Sequence, residues 1–292
     1  MKVIPRTDRE GVLVERNDNP APNFNDEILK DVLPYIERGE PFEKEYEIRN
    51  VHRTIPTKIN YHIALKYRDE GLPDDTIRLI FRGTAGQSFG AFNHRGVTLR
   101  LIGDANDYVG KGMWGGRIIL VPDGVERTHE NVIMGNTCLY GAIGGELYAA
   151  GRAGERFGVR NSGAVAVVEG TGHHCCEYMT GGVITVLGEV GYNVGGGMTG
   201  GHAYILDESE TLEHKLNYSY VYARRLVGED EISELRSLIE RHYNYTGSPR
   251  AKEILENFTE FLPKFWKVIP LEQCKRDPYG ESDTCEVEIL SR

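Results

Sequence analysis

Apolar and polar positions alternate with a period of two in six short segments of the central part of the chain: VTLRL, RIILV, ELYAA, AVAVV, VITVL and HAYIL. Gly96 precedes the first segment, and a pair of small residues precedes each of the others. These pairs are Gly115-Gly116, Gly144-Gly145, Ser162-Gly163, Gly181-Gly182 and Gly200-Gly201. A period of two predicts β-strands with one face always buried.

The second and fourth positions after each pair are apolar and are predicted to face the core. They are Ile118 and Leu120, Leu147 and Ala149, Val165 and Val167, Ile184 and Val186, and Ala203 and Ile205. The first strand fits this pattern when it is shifted by one residue, which buries Val97, Leu99 and Leu101.

The second residues of the pairs, with Gly96, are spaced by 20, 29, 18, 19 and 19 positions. The longest spacing contains PDGVERTHEN, which we interpret as a looped-out insertion in a unit of about 19 residues. Strands of one direction at this spacing exclude hairpins, and the consensus of leucine-rich repeats is missing. The sequence therefore predicts a mainly β fold, a parallel β-helix whose corners are the glycine pairs, since a tight turn between stacked coils favours glycine.

The flanks of this region have helical patterns instead. A helix capped by Asn23 or Asn25 and ended by Gly39 is predicted to carry Ile28, Leu29, Val32, Leu33 and Ile36 at helical spacing. A strand at residues 46–48 and a helix at about 55–68 are predicted to follow. GEDEISELRSLIERHYNYTG and PRAKEILENFTEFLPKFWKV predict two more helices after the β-helix. We divide the chain into an N-terminal segment (1–76), the β-helix (77–207), a helical segment (208–270) and an irregular tail (271–292).

Composition limits the function. Of 35 glycines, 29 lie between Gly83 and Gly201, and the formal net charge is −10. An acidic protein is a poor partner for nucleic acid, because binding to phosphates requires an excess of Lys and Arg. No apolar run is long enough to span a bilayer, and the N-terminal sequence has no apolar core of a signal peptide. With five cysteines and no disulfide framework, we expect a cytoplasmic protein, with Cys274 and Cys285 as free thiols in the tail.

Several short motifs match catalytic signatures. Residues 110–115 and 195–200 both fit GxGxxG, but strands follow them where a dinucleotide site requires a helix. Residues 86–90 fit the GxSxG nucleophile elbow, again without the helix that should follow. We therefore interpret all three as turns of the β-helix.

The cluster HHCC at residues 173–176 is the sharpest candidate for a metal site. Because neighbouring strand residues point to opposite faces, only His173 with Cys175, or the next pair, could share an ion. We keep His173 and Cys175 as weak metal candidates and expect buried structural cysteines. The column of equivalent positions through Asp107 contains no stack of carboxylates when it is counted as Asp107, Asn136, Gly154, His173 and Tyr192, so no catalytic residue is predicted.

Several segments resemble one known family closely. They are GTAGQSFGAF, LRLIGDANDYVGKGMWGGRIILVP, GNTCLYGAIGGELYAAGRAGERFGVRNSGAVAVVEGTGHHCCEYMTGGVITVLG and GYNVGGGMTGGHAYILD. These runs are similar to the C-terminal GXGXG domain of the glutamate synthase large subunit over roughly residues 20–270. The resemblance implies a right-handed parallel β-helix.

The resemblance also implies a function. Glutamate synthase transfers ammonia from glutamine to 2-oxoglutarate, and its nucleophilic cysteine, FMN and iron–sulfur cluster belong to other domains of the family. We therefore expect a non-catalytic structural subunit of a split glutamate synthase, with no cofactor of its own. Its partners would be a glutamine amidotransferase subunit and an FMN-binding synthase subunit that holds the FMN and the iron–sulfur cluster.

The chain departs from the family pattern just before the β-helix. His52 replaces an acid and Pro56 replaces a glycine. The predicted partner interface includes this segment and two aromatic residues of the β-helix: Val51, His52, Arg53, Pro56, Tyr108 and Trp114. The alternatives are the equivalent subunit of a related amidotransferase-linked enzyme, such as N-methylglutamate synthase, and a free-standing β-helix enzyme.

Overall fold

The computed structural model describes residues 22–124 and 126–274. Within these residues, eleven strands form a single sheet in the order β1-β2-β3-β4-β6-β7-β8-β9-β11-β10, and β5 pairs with β3 and β6. The strands are β1 (Phe42–Ile48), β2 (Ile77–Ala85), β3 (Val97–Ala105), β4 (Arg117–Val121), β5 (Val132–Met134), β6 (Glu146–Ala153), β7 (Ser162–Gly170), β8 (Thr180–Val186), β9 (Gly200–Leu206), β10 (Val221–Arg225) and β11 (Phe265–Pro270). The helices are α1 (Phe24–Arg38), α2 (Thr57–Tyr67), α3 (Glu229–Thr246), α4 (Pro249–Glu256), α5 (Phe258–Phe261) and α6 (Leu271–Cys274).

Strands β1 to β9 pair in parallel, so the predicted fold class is confirmed: a parallel β-solenoid of about six turns with helices at both ends. Paired residues on successive strands lie 18 to 20 positions apart, for example Leu99 with Ile118. Ile118 pairs with Leu147, although the predicted insertion lies between their strands in the sequence. The shifted first strand is also confirmed, since Val97, Leu99 and Leu101 are fully buried.

The predicted burial of β7 is wrong by one residue. Ser162 pairs with Gly181 and Val165 pairs with Val183, so β7 has an extra residue in a bulge. After the bulge, the side chains of β7 that enter the solenoid core belong to Ala166 and Val168.

The residue predicted for that core position, Val167, faces the C-terminal helices instead. Val186 lies opposite Val168, and Val167 lies opposite Thr185. Both Ala166 and Val167 have no exposed surface, so a charge is costly at either position.

The N-terminal helices pack on the solenoid core. Asn23 caps α1: its side chain accepts a hydrogen bond from Asn25 N, and Asp26 accepts one from Asn23 N. Of the residues predicted on its apolar stripe, Ile28, Val32 and Ile36 are buried, whereas Leu29 and Leu33 are only partly buried. Gly39 ends the helix in the left-handed conformation.

The C-terminal segment covers the outer face of the sheet. Helix α3 lies between Gly228 and Gly247 as predicted, but the second predicted helix is wrong in its last part. It breaks into α4, α5 and a 3₁₀ turn, and residues 265–270 form β11, which pairs antiparallel with β9. Strand β11 thereby covers the edge of β9, an edge that would otherwise be open to other chains.

Candidate functional site: the turn face of the solenoid

Between the end of one strand and the next glycine pair, each coil makes a turn in which every second residue is left-handed. These residues, with φ from 53° to 74°, are Ser88, Gly90 and Phe92; Tyr108, Gly110 and Gly112; Thr137, Leu139 and Gly141; Arg156, Gly158 and Arg160; His174, Cys176 and Tyr178; and Asn193, Gly195 and Gly197. We call the surface formed by these turns the turn face. Eleven of these left-handed residues are not glycine, and their backbone conformation would be strained in isolation.

Hydrogen bonds between coils hold this backbone. The N–H of Tyr108 donates to the carbonyl of Asn136 over 2.9 Å, and the N–H of Gly112 donates to Tyr140 over 2.8 Å. The two GxGxxG matches belong to these turns and lead into β4 and β9. They therefore shape the backbone and have no helix N-terminus to hold a phosphate.

The predicted corner glycines lie where coils approach most closely. A Cβ at Gly115, Gly144, Gly181 or Gly200 would collide with the preceding coil. The second residues of these pairs, Gly116, Gly145, Gly182 and Gly201, have φ from 69° to 88°. Glycine is therefore required at the first position by space and at the second by backbone conformation.

One column of polar side chains on the turn face satisfies the backbone of the neighbouring coil. Asp107 Oδ1 accepts from Asn136 N over 2.8 Å, Asn136 Oδ1 accepts from Glu155 N over 2.7 Å, and His173 Nδ1 accepts from Tyr192 N over 2.8 Å. The predicted column is wrong at one coil: it contains Glu155 instead of Gly154.

Gly154 lies next to this column and packs closely on the preceding coil, since a Cβ there would collide with Asn136 Oδ1. The two carboxylates of the column, those of Asp107 and Glu155, therefore belong to coils separated by the coil of Asn136. Asp107 already accepts the backbone N–H of Asn136, so the column does not form a pair of carboxylates for acid–base chemistry.

The weak metal candidates His173 and Cys175 lie in different environments. The His173 ring is exposed and stacks on Tyr192 with ring centroids 5.5 Å apart, whereas Cys175 is fully buried with its Sγ 3.7 Å from Cys176 Sγ. Burial also raises the pKa of Cys138 to about 12. Within residues 22–124 and 126–274, no group of three or more His, Cys, Asp or Glu side chains is arranged to hold a metal ion.

The same part of the chain offers no cysteine set for an iron–sulfur cluster, which needs clustered thiolates. Cys274 is in a disulfide, so the prediction of a free thiol there is wrong. Cys285 lies outside the described residues.

The predicted interface residues divide into accessible and inaccessible ones. Val51 is 71% exposed and Arg53 is also exposed, whereas Pro56 is buried. His52 stacks on Phe24 with centroids 4.2 Å apart, and its Nδ1 accepts from Arg49 N. The two residues that depart from the family pattern, His52 and Pro56, are thus held by contacts within the chain.

The two predicted aromatic residues of the solenoid are half-buried on the turn face. Tyr108 and Tyr140 meet edge to face, and Lys111 Nζ lies 5.5 Å and 6.0 Å from their ring centroids. Trp114 lines two surface grooves, and its Nε1 has no hydrogen-bond partner among the described residues.

Three other aromatic side chains of this face are strongly exposed and were missed from the sequence. Phe92, Tyr178 and Tyr192 are 52%, 54% and 60% exposed. A Cβ on Gly112 would lie 2.7 Å from the Phe92 ring, and one on Gly197 would collide with the Tyr178 ring. In both cases an aromatic residue is followed, one repeat later in the sequence, by the glycine on which it packs. This pattern could have identified Phe92 and Tyr178 from the sequence.

Comparisons with known proteins identify the family. The GXGXG motif family matches residues 25–271, nearly the whole of the described part. This chain belongs to the GXGXG family. This match, together with the relatives described next, confirms the resemblance to the GXGXG domain of glutamate synthase that the sequence shows.

Several relatives of this GXGXG chain are glutamate synthases. The "Ferredoxin-dependent glutamate synthase 2" of Synechocystis is 51% identical over 267 residues, which are 90% of this chain and 17% of the relative. The "Glutamate synthase [NADPH] large chain" of Bacillus subtilis is 48% identical over 246 residues, or 83% of this chain and 16% of the relative. This chain thus spans about a sixth of the length of these relatives. None of the helices in its described part is long and apolar enough to cross a membrane.

Proposed function

We propose that this GXGXG chain is the structural part of a glutamate synthase, which forms glutamate from glutamine and 2-oxoglutarate. Its role is to hold a glutamine amidotransferase part and an FMN-binding synthase part in a fixed relation, whether these lie on the same or on separate polypeptides. The FMN and the iron–sulfur cluster belong to the synthase part. The names of the relatives support the reaction, and the short share of their length that this chain matches supports a division of labour.

The exposed aromatic residues of the turn face carry the proposal. Phe92, Tyr178 and Tyr192 display large apolar surfaces on a rigid backbone, held by hydrogen bonds between coils. Aromatic residues are enriched in protein interfaces, because they bury much area with little loss of side-chain entropy. A permanent contact between parts of an enzyme typically buries about 2,000 Å² or more. We place that contact on the turn face, with Tyr108, Trp114 and the exposed Val51 and Arg53 included.

Two observations favour this role over the alternatives. The polar column through Asp107 is used to satisfy backbone N–H groups, which argues against a free-standing enzyme on that face. His52 and Pro56 are held by contacts within the chain, so the departure from the family pattern does not favour a different amine substrate.

Coupling between two activities tests the proposal. The chain is combined with the amidotransferase and synthase parts, and glutamate formation is measured with glutamine and with free ammonia as nitrogen sources. We expect the double substitution Phe92→Ser and Tyr178→Ser to lower the glutamine-dependent rate at least about tenfold, as expected when interface anchors worth about 1–2 kcal/mol each are removed. The ammonia-dependent rate should change little.

Tyr243→Ser is the matched control, because Tyr243 is an exposed aromatic residue on α3. The proposal is wrong if the two catalytic parts couple equally well without this chain. It is also wrong if the double variant and the control retain the same glutamine-dependent rate.

A further inference from the structure

A second region of the molecule has the features of a ligand site. A cavity of about 560 Å³ lies where β6, β8 and β9 end, bordered by the insertion between β4 and β5. Its walls include apolar side chains, such as Val190 and Leu212, beside several charged groups. Its volume falls in the range of small-molecule sites, which is about 300–1,000 Å³.

Most of the carboxylates that line this cavity already accept hydrogen bonds or form ion pairs within the chain. Asp207 accepts hydrogen bonds from the backbone N–H groups of Thr211 and Leu212, both over 3.0 Å. Glu208 forms an ion pair with Arg250, and Glu130 forms one with Arg127 at 2.7 Å. The remaining acid, Glu189, is exposed, so water screens its charge.

Two cationic side chains that line the cavity form no ion pair among the described residues. Arg152 and Lys215 are both half-buried, and no carboxylate of residues 22–124 or 126–274 lies within ion-pair distance of either. A partly desolvated cation without a counterion is unfavourable, and an anionic ligand would relieve that cost.

The backbone beneath Arg152 is adapted to its side chain. A Cβ on Gly170, the last residue of β7, would lie 2.9 Å from Arg152 Cγ and 3.1 Å from its Nη1. The arginine therefore lies flat on a glycine at the wall of the cavity. This position needs no glycine for its own backbone, since Gly170 is not among the residues with positive φ.

We infer that this cavity binds a small organic dianion. Arg152 donates charge-assisted hydrogen bonds to one acidic group, Lys215 holds the second, and the apolar wall contacts the carbon skeleton between them. A dicarboxylate and a phosphate ester share this chemistry. The inference is independent of the proposed assembly role.

Calorimetric titration of the purified chain tests the inference, with succinate, 2-oxoglutarate, glycerol phosphate and acetate as probes. At least one dianion should bind with a Kd of about 1 mM or lower, and acetate should bind at least about tenfold more weakly because it engages one cation only. Binding of the dicarboxylates or of glycerol phosphate alone would identify which acidic group the site prefers.

Three variants distinguish a built site from general attraction to positive charge. Arg152→Gln and Lys215→Gln should each weaken binding about tenfold to a hundredfold. Gly170→Ala should also weaken it, although it removes no charge, because the new methyl group displaces Arg152. Arg160→Gln, at an exposed arginine on the turn face, is the control and should leave the Kd unchanged.

The inference fails if none of the dianions produces binding heat up to about 10 mM. It also fails if acetate binds as well as they do, or if the Arg152→Gln, Lys215→Gln and Gly170→Ala variants all bind like the control. Circular dichroism of each variant before titration shows whether it is folded, and the Gly170→Ala variant tests the site without altering any charged residue.

Discussion

Replacing Glu169 by alanine should destabilise the chain by about 3–5 kcal/mol, the range found when one partner of a buried ionic or hydrogen-bonded pair is removed. Glu169 lies on β7, under the C-terminal helices, with no exposed surface. Its Oε1 lies 3.1 Å from His242 Nε2 and accepts a hydrogen bond from Ser248 Oγ. His242 and Ser248 are also fully buried, so this cluster joins the solenoid to α3 and to the start of α4.

The magnitude follows from what alanine leaves behind. The Ser248 hydroxyl loses its acceptor, and so does the ring of His242, at about 1–3 kcal/mol for each buried group left unpaired. The lost side-chain volume adds a cavity cost. Ser248 still caps α4 by accepting from Ala251 N over 2.9 Å, so the helix itself should persist.

The substitution Glu169→Gln separates hydrogen bonding from packing. Its amide oxygen can still accept from Ser248 and His242, and the side-chain volume is kept. Because Glu169 Oε2 has no hydrogen-bond partner among the described residues, the new amide N–H₂ also lacks one. We therefore expect an intermediate loss of about 1–2 kcal/mol.

Urea unfolding followed by circular dichroism measures these differences. The matched control is Glu47→Ala, at an exposed strand residue of β1, which should cost less than about 0.5 kcal/mol. For a chain of this size, the expected loss for Glu169→Ala corresponds to a drop in Tm of roughly 6–20 °C. Equal unfolding midpoints for Glu169→Ala and Glu47→Ala would refute the reasoning, and so would a glutamine variant as unstable as the alanine variant.

Three further predictions concern a corner, a surface carboxylate and a thiol. Gly182→Ala should cost more than about 2 kcal/mol, because a Cβ there collides with the Ala164 carbonyl. Gly141→Ala, also at positive φ but in open space, should cost about 1 kcal/mol in the same urea assay. Hydrogen bonds from His202 and then Tyr204 lower the pKa of Glu234 from 4.5 to about 2. The folded pKa is depressed, so this stabilisation is complete above pH 4.5 and is lost as the pH falls towards 2. After allowance for its exposure, the advantage of the wild type over Glu234→Gln should therefore fall from about 1 kcal/mol at pH 6 to none near pH 2, and a constant difference would contradict it. Burial and the raised pKa of Cys138 predict that this thiol reacts with iodoacetamide only after unfolding, which mass spectrometry of the native and denatured protein would test.

The sequence predicts the solenoid well because its period is fixed by geometry. Each coil must return to the same place above the last, so the strand spacing stays near 19 residues, and the insertion is recognisable as an excess over that value. The corner glycines are visible for the same reason, since no other residue fits both a positive φ and the close approach of coils.

The sequence does not show in the same way which residues of β7 face the solenoid core. Both faces of this strand are buried, one by the solenoid core and the other by the C-terminal helices, so its residues 164–168 are all apolar and show no alternation that would tell the two faces apart. The extra residue of the bulge then places the side chain of Val168, instead of that of Val167, in the solenoid core. Strand β11 was mistaken for a helix because its apolar residues continue a helical stripe, and only its pairing with β9 decides between the two.

The candidate sites differ in what their polar groups do for the fold. Asp107, Asn136 and His173 attract attention in the sequence, yet each accepts a backbone N–H of the next coil and is thereby committed to the solenoid. Arg152 and Lys215 form no motif and were not noticed in the sequence, but no described carboxylate neutralises them, and Arg152 lies on a glycine of the neighbouring coil. In a repeat fold, where stacking places similar side chains in columns, polar residues in a regular column are most simply explained by structure. Function is better sought at charged groups that the repeat does not satisfy, which here means the cavity beside Arg152.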